Sequence, residues 1–163
     1  MEFRVGDPVM HCTYGLGTVV GLEERNDFGE MGMFYCVEVS NMTIWVRMDD
    51  NLENRLRPPT PQTGFKELQE ILTSPGEPLP KDRQQRRLRI RELLKDGRAQ
   101  SLCRVIRDLA ASAQARDLNE NDRVVMKRLQ SVLIEEWGFA MSVSPTQAMQ
   151  ELRHLLTPIL GAS

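Results

Sequence analysis

Residues 81–98 hold eight lysines and arginines against three acidic side chains, the densest positive charge in the chain. Its core is Lys81-Asp82-Arg83-Gln84-Gln85-Arg86-Arg87-Leu88-Arg89-Ile90-Arg91. Such a run suits one chemistry above others, the non-covalent grip of planar guanidinium forks on phosphate oxyanions. On a helix advancing about 100° per residue, Arg83, Arg86, Arg87 and Gln84 are expected to share one side, with Ile90, Leu93 and Leu94 elsewhere on the wheel. The bland alternative is a solvated helix face in salt bridges with acidic groups. Aromatic residues are missing from the run, which disfavours stacking on single-stranded bases. A second group is Thr43-Ile44-Trp45-Val46-Arg47, where strand alternation sends Ile44 and Val46 to one face and Trp45 and Arg47 to the other. A tryptophan beside an arginine outside a small core fits a protein-binding anchor, and a tryptophan covered by the chain's own helices fits the pattern equally.

Covalent catalysis finds little to use. His11 and His154 fall in different predicted domains, and each reads as structural. Gly15, Gly17 and Gly21 lie between short strands and lead into no helix, so they are turn and bulge glycines rather than a phosphate cradle. Nucleophile elbow, zinc-protease helix and dinucleotide fingerprint are all absent from the sequence. Cys12, Cys36 and Cys103 are widely spaced and form no C-x-x-C pair, which argues for reduced, structural thiols. The expectation is a non-enzymatic chain that uses no cofactor and no metal. No segment approaches the roughly 20 apolar residues of a membrane helix, and Met1-Glu2-Phe3-Arg4 does not open a signal peptide. A cytoplasmic protein follows, monomeric by default and without a membrane partner.

The 163 residues carry a formal charge of −2, which by itself speaks against a nucleic-acid partner. Divided by segment, the charge is −7 over residues 1–80 and +5 over residues 81–98. An acidic module precedes a basic one.

The elements that must position these residues change character along the chain. Residues 3–48 read as short strands: Val9 to Cys12, Thr18 to Val20, Met33 to Val39 and Thr43 to Arg47, with Asn26-Asp27-Phe28-Gly29 as a hairpin tip. Four or five strands in so short a span predict a small β-barrel of SH3 or Tudor type. Arg57-Pro58-Pro59-Thr60-Pro61 breaks both regular patterns, which places a domain boundary there, 1–60 against 61–163. The hydrophobic period then changes from two to 3.6. Five helices are expected: one from Phe65 ended by Ser74-Pro75-Gly76, one over Asp82–Asp96 capped by Gly97, one carrying Leu102, Val105, Ile106 and Leu109, one starting at Asn119, and one opened by Ser144-Pro145-Thr146-Gln147. The fold class is therefore α+β, a Tudor- or SH3-like barrel followed by an all-α bundle.

Phe3-Arg4-Val5-Gly6-Asp7-Pro8-Val9 and Tyr14-Gly15-Leu16-Gly17-Thr18-Val19 resemble the opening of the bacterial CarD/CdnL family of transcription regulators. Tyr35 to Val39, Val46-Arg47, Leu56-Arg57, Asp96-Gly97, Val105 to Leu109, Leu118 and Leu133 to Glu136 continue the resemblance in order over nearly the whole chain. What the resemblance implies is an N-terminal Tudor-like domain that binds the β subunit of RNA polymerase, and a helical domain that contacts promoter DNA at the upstream edge of the bubble and stabilises the open complex. By position, Arg25 and Arg47 match the family's polymerase-contacting arginines, to which strand alternation adds Trp45. Arg86 and Arg87 fall in its DNA-contacting stretch, to which the basic run adds Lys81 and Arg83 as expected DNA-binding residues. The chain departs from the family at Arg83, which stands where many members carry a tryptophan wedge. A rival reading keeps the two modules but docks the basic helix on an acidic protein instead of DNA.

Overall fold

Alternating apolar residues build the first unit, Met1–Pro59, on an antiparallel sheet. The computed structural model describes residues 2–160. Its strands are β1 (Pro8–His11), β2 (Gly15–Asp27), β3 (Glu30–Val39), β4 (Met42–Arg47) and β5 (Leu56–Arg57), in the spatial order β4-β3-β2-β1-β5. Val9, Val19, Tyr35, Val37, Val39 and Val46 turn to one face and bury against Phe3, Leu52 and Leu56. The Tyr35 hydroxyl accepts from the Phe3 backbone N–H at 3.0 Å, and the two rings meet edge-on at 5.5 Å, so the N-terminal segment closes this core. Gly17 must be glycine for packing reasons, because a Cβ there would lie 2.7–2.9 Å from Val39, Val37 and the Glu38 carbonyl.

Two features of this sheet differ from the sequence expectation. β2 runs to Asp27 rather than ending at Val20, because a bulge between Val19 and Gly21 shifts the register and hides the alternation of the polar residues beyond it. The sheet is also open, not a closed barrel: β4 and β5 are its two edges. Closure needs those edges to pair, and β5 offers only two residues, both registered with β1. The short helix α1 (Leu52–Arg55) leads from β4 into β5.

The far end of the β2–β3 hairpin turns in two residues, Phe28 and Gly29, between the paired Asp27 and Glu30. Both have positive φ, 51° and 86°, which is type I′ geometry and matches the twist of the strands. Asn26 Oδ1 accepts from the Gly29 N–H at 2.9 Å.

The second unit, Thr60–Ser163, is helical. After a 3₁₀ turn at Gln62–Gly64 come α2 (Phe65–Thr73), α3 (Arg83–Leu94), α4 (Ala99–Ala115), α5 (Glu120–Met141) and α6 (Pro145–Leu160). Helix starts follow the local chemistry: Asp82 accepts from the Gln85 N–H at 2.9 Å, Asn119 from Asp122 at 2.8 Å, and the Ser144 hydroxyl from Gln147 at 3.1 Å. Gly97, at φ 70°, follows the end of α3 in the conformation that suits glycine. Phe65, Leu68, Leu72, Ile106, Leu109, Leu133, Trp137, Leu152 and Leu156 form one core around α4. Trp137 is fully enclosed and donates Nε1–H to Glu151 at 2.8 Å. Ahead of α2, the Thr60 N–H donates to the Glu136 carboxylate at 2.7 Å.

Candidate functional site

On the sheet face opposite the first core, register brings three rows together: Glu23 with Phe34 and Arg47, Cys36 with Trp45, and Arg25 with Gly32. The Arg25 guanidinium lies over the Trp45 ring at 4.0 Å, a cation–π contact, while the indole Nε1–H donates to Glu23 Oε2 at 2.6 Å. The ring is thereby fixed from its edge and its face, yet Trp45 remains 42% exposed. Arg47 extends over Phe34, 5.4 Å from the ring centroid, with Asp27 at 3.6 Å and Glu30 at 3.8 Å. Gly32 leaves the space that this side chain crosses, since a Cβ there would stand 2.8 Å from Arg47 Nη2. Arg55 anchors the adjoining loop by donating to the Arg47 carbonyl at 3.1 Å and to Asp49. These groups line a cleft of about 480 Å³ walled by Arg25, Asp27, Phe34, Trp45, Arg47 and Arg55.

Arg25, Trp45 and Arg47 are thus assembled on one surface. Sequence alternation paired Trp45 with Arg47, and the hairpin register adds Arg25. Glu23 carries no sequence signal for this role, because nothing in a strand pattern marks which carboxylate a distant indole will meet. The arrangement suits protein recognition. Aromatic faces and partly exposed guanidinium groups offer both apolar area and directional donors, with Asp27 and Glu30 supplying counter-charge.

The basic run forms α3 but divides differently from expectation. Arg86 is only 3% exposed and does not face outward. Its Nε and Nη2 meet Asp122 Oδ1 and Oδ2 at 3.1 and 2.9 Å, and Nη1 donates to the carbonyls of Pro80 and Lys81 at 3.1 and 3.0 Å. The expected separation of basic and packing faces was wrong at this position. Arg86 precedes the buried Ile90 by one helical turn, so the two share the packing side. Arg86 is therefore corrected from a phosphate-facing residue to a structural one. The spacing to Ile90 and the acidic start of α5 were the signals that could have revealed it.

Lys81, Arg83 and Arg87 are exposed, as are Arg89 and Arg91. Gln84, Arg87, Leu88 and Arg91 follow at helical spacing along one outward stripe, and Leu88 is 59% exposed within it. The sequence assigns that leucine no role, because a single apolar residue among arginines makes no pattern of its own.

Neither histidine builds a reactive centre. His11 Nδ1 accepts from the backbone N–H groups of Thr13 and Tyr14 at 3.0 and 3.2 Å, tying down the β1–β2 turn. Burial, and then the nearby Arg55 cation, hold its imidazole below the usual histidine pKa. His154 lies at a cleft of about 700 Å³ beside Trp137 and Glu151, whose carboxylate is occupied by Trp137 and Gln147. Burial raises the pKa of the Cys36 thiol, with Glu23 adding to the effect, the opposite of an activated nucleophile. Among the described residues, no three His, Cys, Asp or Glu side chains group as a metal site, and no helix is long and apolar enough to cross a membrane.

Comparison with known proteins adds two findings. The family model for the C-terminal domain of CarD matches residues 67–153, just over half of the chain. The chain is also 25% identical over 151 residues to a protein of Bacillus subtilis (strain 168) named "Putative transcription factor YdeB", covering 89% of this chain and 96% of that protein.

Proposed function

This chain belongs to the CarD family and has a transcription-associated role, and on that premise we propose that it joins RNA polymerase to promoter DNA. The first unit holds the polymerase β subunit through Arg25, Trp45 and Arg47. The second lays Lys81, Arg83 and Arg87, with Arg91 beside them, against the phosphates at the upstream edge of the bubble. Binding the open complex more tightly than the closed one shifts the population toward open promoters, with no covalent step.

The observation that supports this reading best is a division of labour. One unit gathers arginines on aromatic faces beside their own counter-ions, a surface for a protein. The other carries arginines on an exposed helix stripe, a surface for phosphates. Leu88 gives that stripe an apolar contact toward sugar or base edges. Arg83, where the family resemblance leads to the expectation of a tryptophan, contributes charge in place of a ring. With so few cations, the isolated protein binds DNA weakly, with strong salt dependence and little sequence preference.

The test uses purified bacterial RNA polymerase and a promoter fragment. Arg47→Glu is expected to abolish polymerase binding. Arg83→Glu with Arg87→Glu is expected to leave polymerase binding intact while shortening the open-complex lifetime. Full polymerase binding by Arg47→Glu would remove the β4 face from the interface. An unchanged lifetime with the double variant favours an acidic protein over DNA as the partner of α3.

A further inference from the structure

The residue at the tip of the β2–β3 hairpin is a poor choice for folding. Phe28 has φ 51°, in the left-handed region that a phenylalanine rarely occupies, and its side chain is fully exposed. Each property is unfavourable, and they are independent: the first is a backbone cost, the second leaves a whole aromatic ring in water. A two-residue turn of this geometry with glycine at its second position is best served by asparagine at the first, which would avoid both. The turn is nonetheless firmly held. Asp27 and Glu30 pair across the strands, and the Gly29 N–H is bonded to Asn26. The ring is therefore presented on a rigid arm instead of trailing on a loose loop.

We infer that Phe28 is a protein-anchoring residue that enters an apolar pocket with a basic rim on the protein held by the Arg25–Trp45–Arg47 cleft. The inference deepens the proposed function and rests on it. The charge around the ring identifies the class of partner: Asp27 and the largely exposed Glu30 flank the tip, so a phosphate backbone is repelled and a pocket edged by lysine or arginine is favoured. Both carboxylates also reach Arg47, which makes the tip and the cleft parts of one continuous surface. A rigid aromatic carries much contact area at low entropic cost, and exposed strain of this kind is kept where binding uses it.

The test uses the full chain and purified bacterial RNA polymerase, with Phe28→Asn, Phe28→Leu and Arg47→Glu measured for binding by interferometry and for thermal midpoint. Phe28→Asn creates the favoured Asn-Gly turn, so its midpoint is expected to hold or rise while polymerase affinity falls about tenfold or more. Phe28→Leu keeps an apolar side chain and is expected to stay within about threefold of wild type. Wild-type affinity in Phe28→Asn, with binding lost in Arg47→Glu, overturns the inference and leaves the proposed function standing. A wild-type chain that does not bind polymerase overturns both. A large drop in midpoint for Phe28→Asn assigns the ring to folding and overturns the inference. So does loss of a wild-type dimer, which would make a second copy of the chain the partner.

Discussion

Replacing Arg86 by alanine separates a structural arginine from a phosphate-binding one. In the native chain its guanidinium makes two parallel contacts to Asp122, at 3.1 and 2.9 Å, and both side chains are about 5% exposed or less. Truncation leaves the Asp122 carboxylate buried without its counter-ion and removes a donor from the carbonyls of Pro80 and Lys81. Breaking one side of a buried pair costs about 3–5 kcal/mol, against a total of about 5–15 kcal/mol for a typical domain. The helical unit should therefore lose about a fifth of its stability at the least, a fall in thermal midpoint of roughly 12–40 °C for a unit of about 100 residues. Urea unfolding followed by circular dichroism measures this directly. Asp122→Ala should cost a similar amount, and the double variant should cost less than the two single losses together, because the orphaned charge is gone. The pair is enclosed, so the loss should change little with added salt. An Arg86→Ala variant within about 1 kcal/mol of wild type that nevertheless bound DNA more weakly would refute the assignment. It would return Arg86 to the phosphate-facing set.

Glu23→Ala should free the Trp45 indole and weaken polymerase binding by roughly three- to tenfold, while Glu23→Gln, still an acceptor, should retain most of it; affinity and the Trp45 emission spectrum report the two effects. His11 is held below its usual pKa of about 6.5, so the unfolded first unit takes up a proton more readily than the folded one. Its stability should thus be full above about pH 7 and decline as the pH falls toward 5, with a flatter thermal-midpoint profile in His11→Asn, whose Oδ1 can accept the same two N–H groups without titrating. Gly17→Ala should destabilise the sheet by about 2–4 kcal/mol in urea unfolding, since its Cβ would press on the Glu38 carbonyl as well as on two valines.

The helical unit was largely legible in the sequence because its signals are local. Asp82, Asn119 and Ser144 announce helix starts within three residues of the bonds they make, and the stripe from Leu102 to Leu109 needs only its own spacing to show a core face. The sheet was less legible. The bulge after Val19 shifts the residues that follow to new faces, so the outward position of Glu23 and Arg25 depends on pairing with β3 rather than on their own alternation. Whether the strands close on themselves depends on β4 meeting β5, an encounter between residues about ten apart in sequence that no turn signal specifies. Arg86 marks the same boundary in the helices. Charge is visible in a sequence, but the partner that neutralises it, Asp122, lies 36 positions away.

The bond from the Thr60 N–H to Glu136 has a practical consequence for anyone dissecting the chain. Glu136 is completely enclosed, and its carboxylate draws one of its donors from the residue directly after the Pro58-Pro59 pair. A fragment meant to isolate the helices, cut at Pro61 or at the start of α2, would shed that donor and report a stability lower than the helices possess in the intact protein. Expression boundaries for the helical half should begin at or before Pro59, so that Thr60 keeps an amide and not a charged amino terminus.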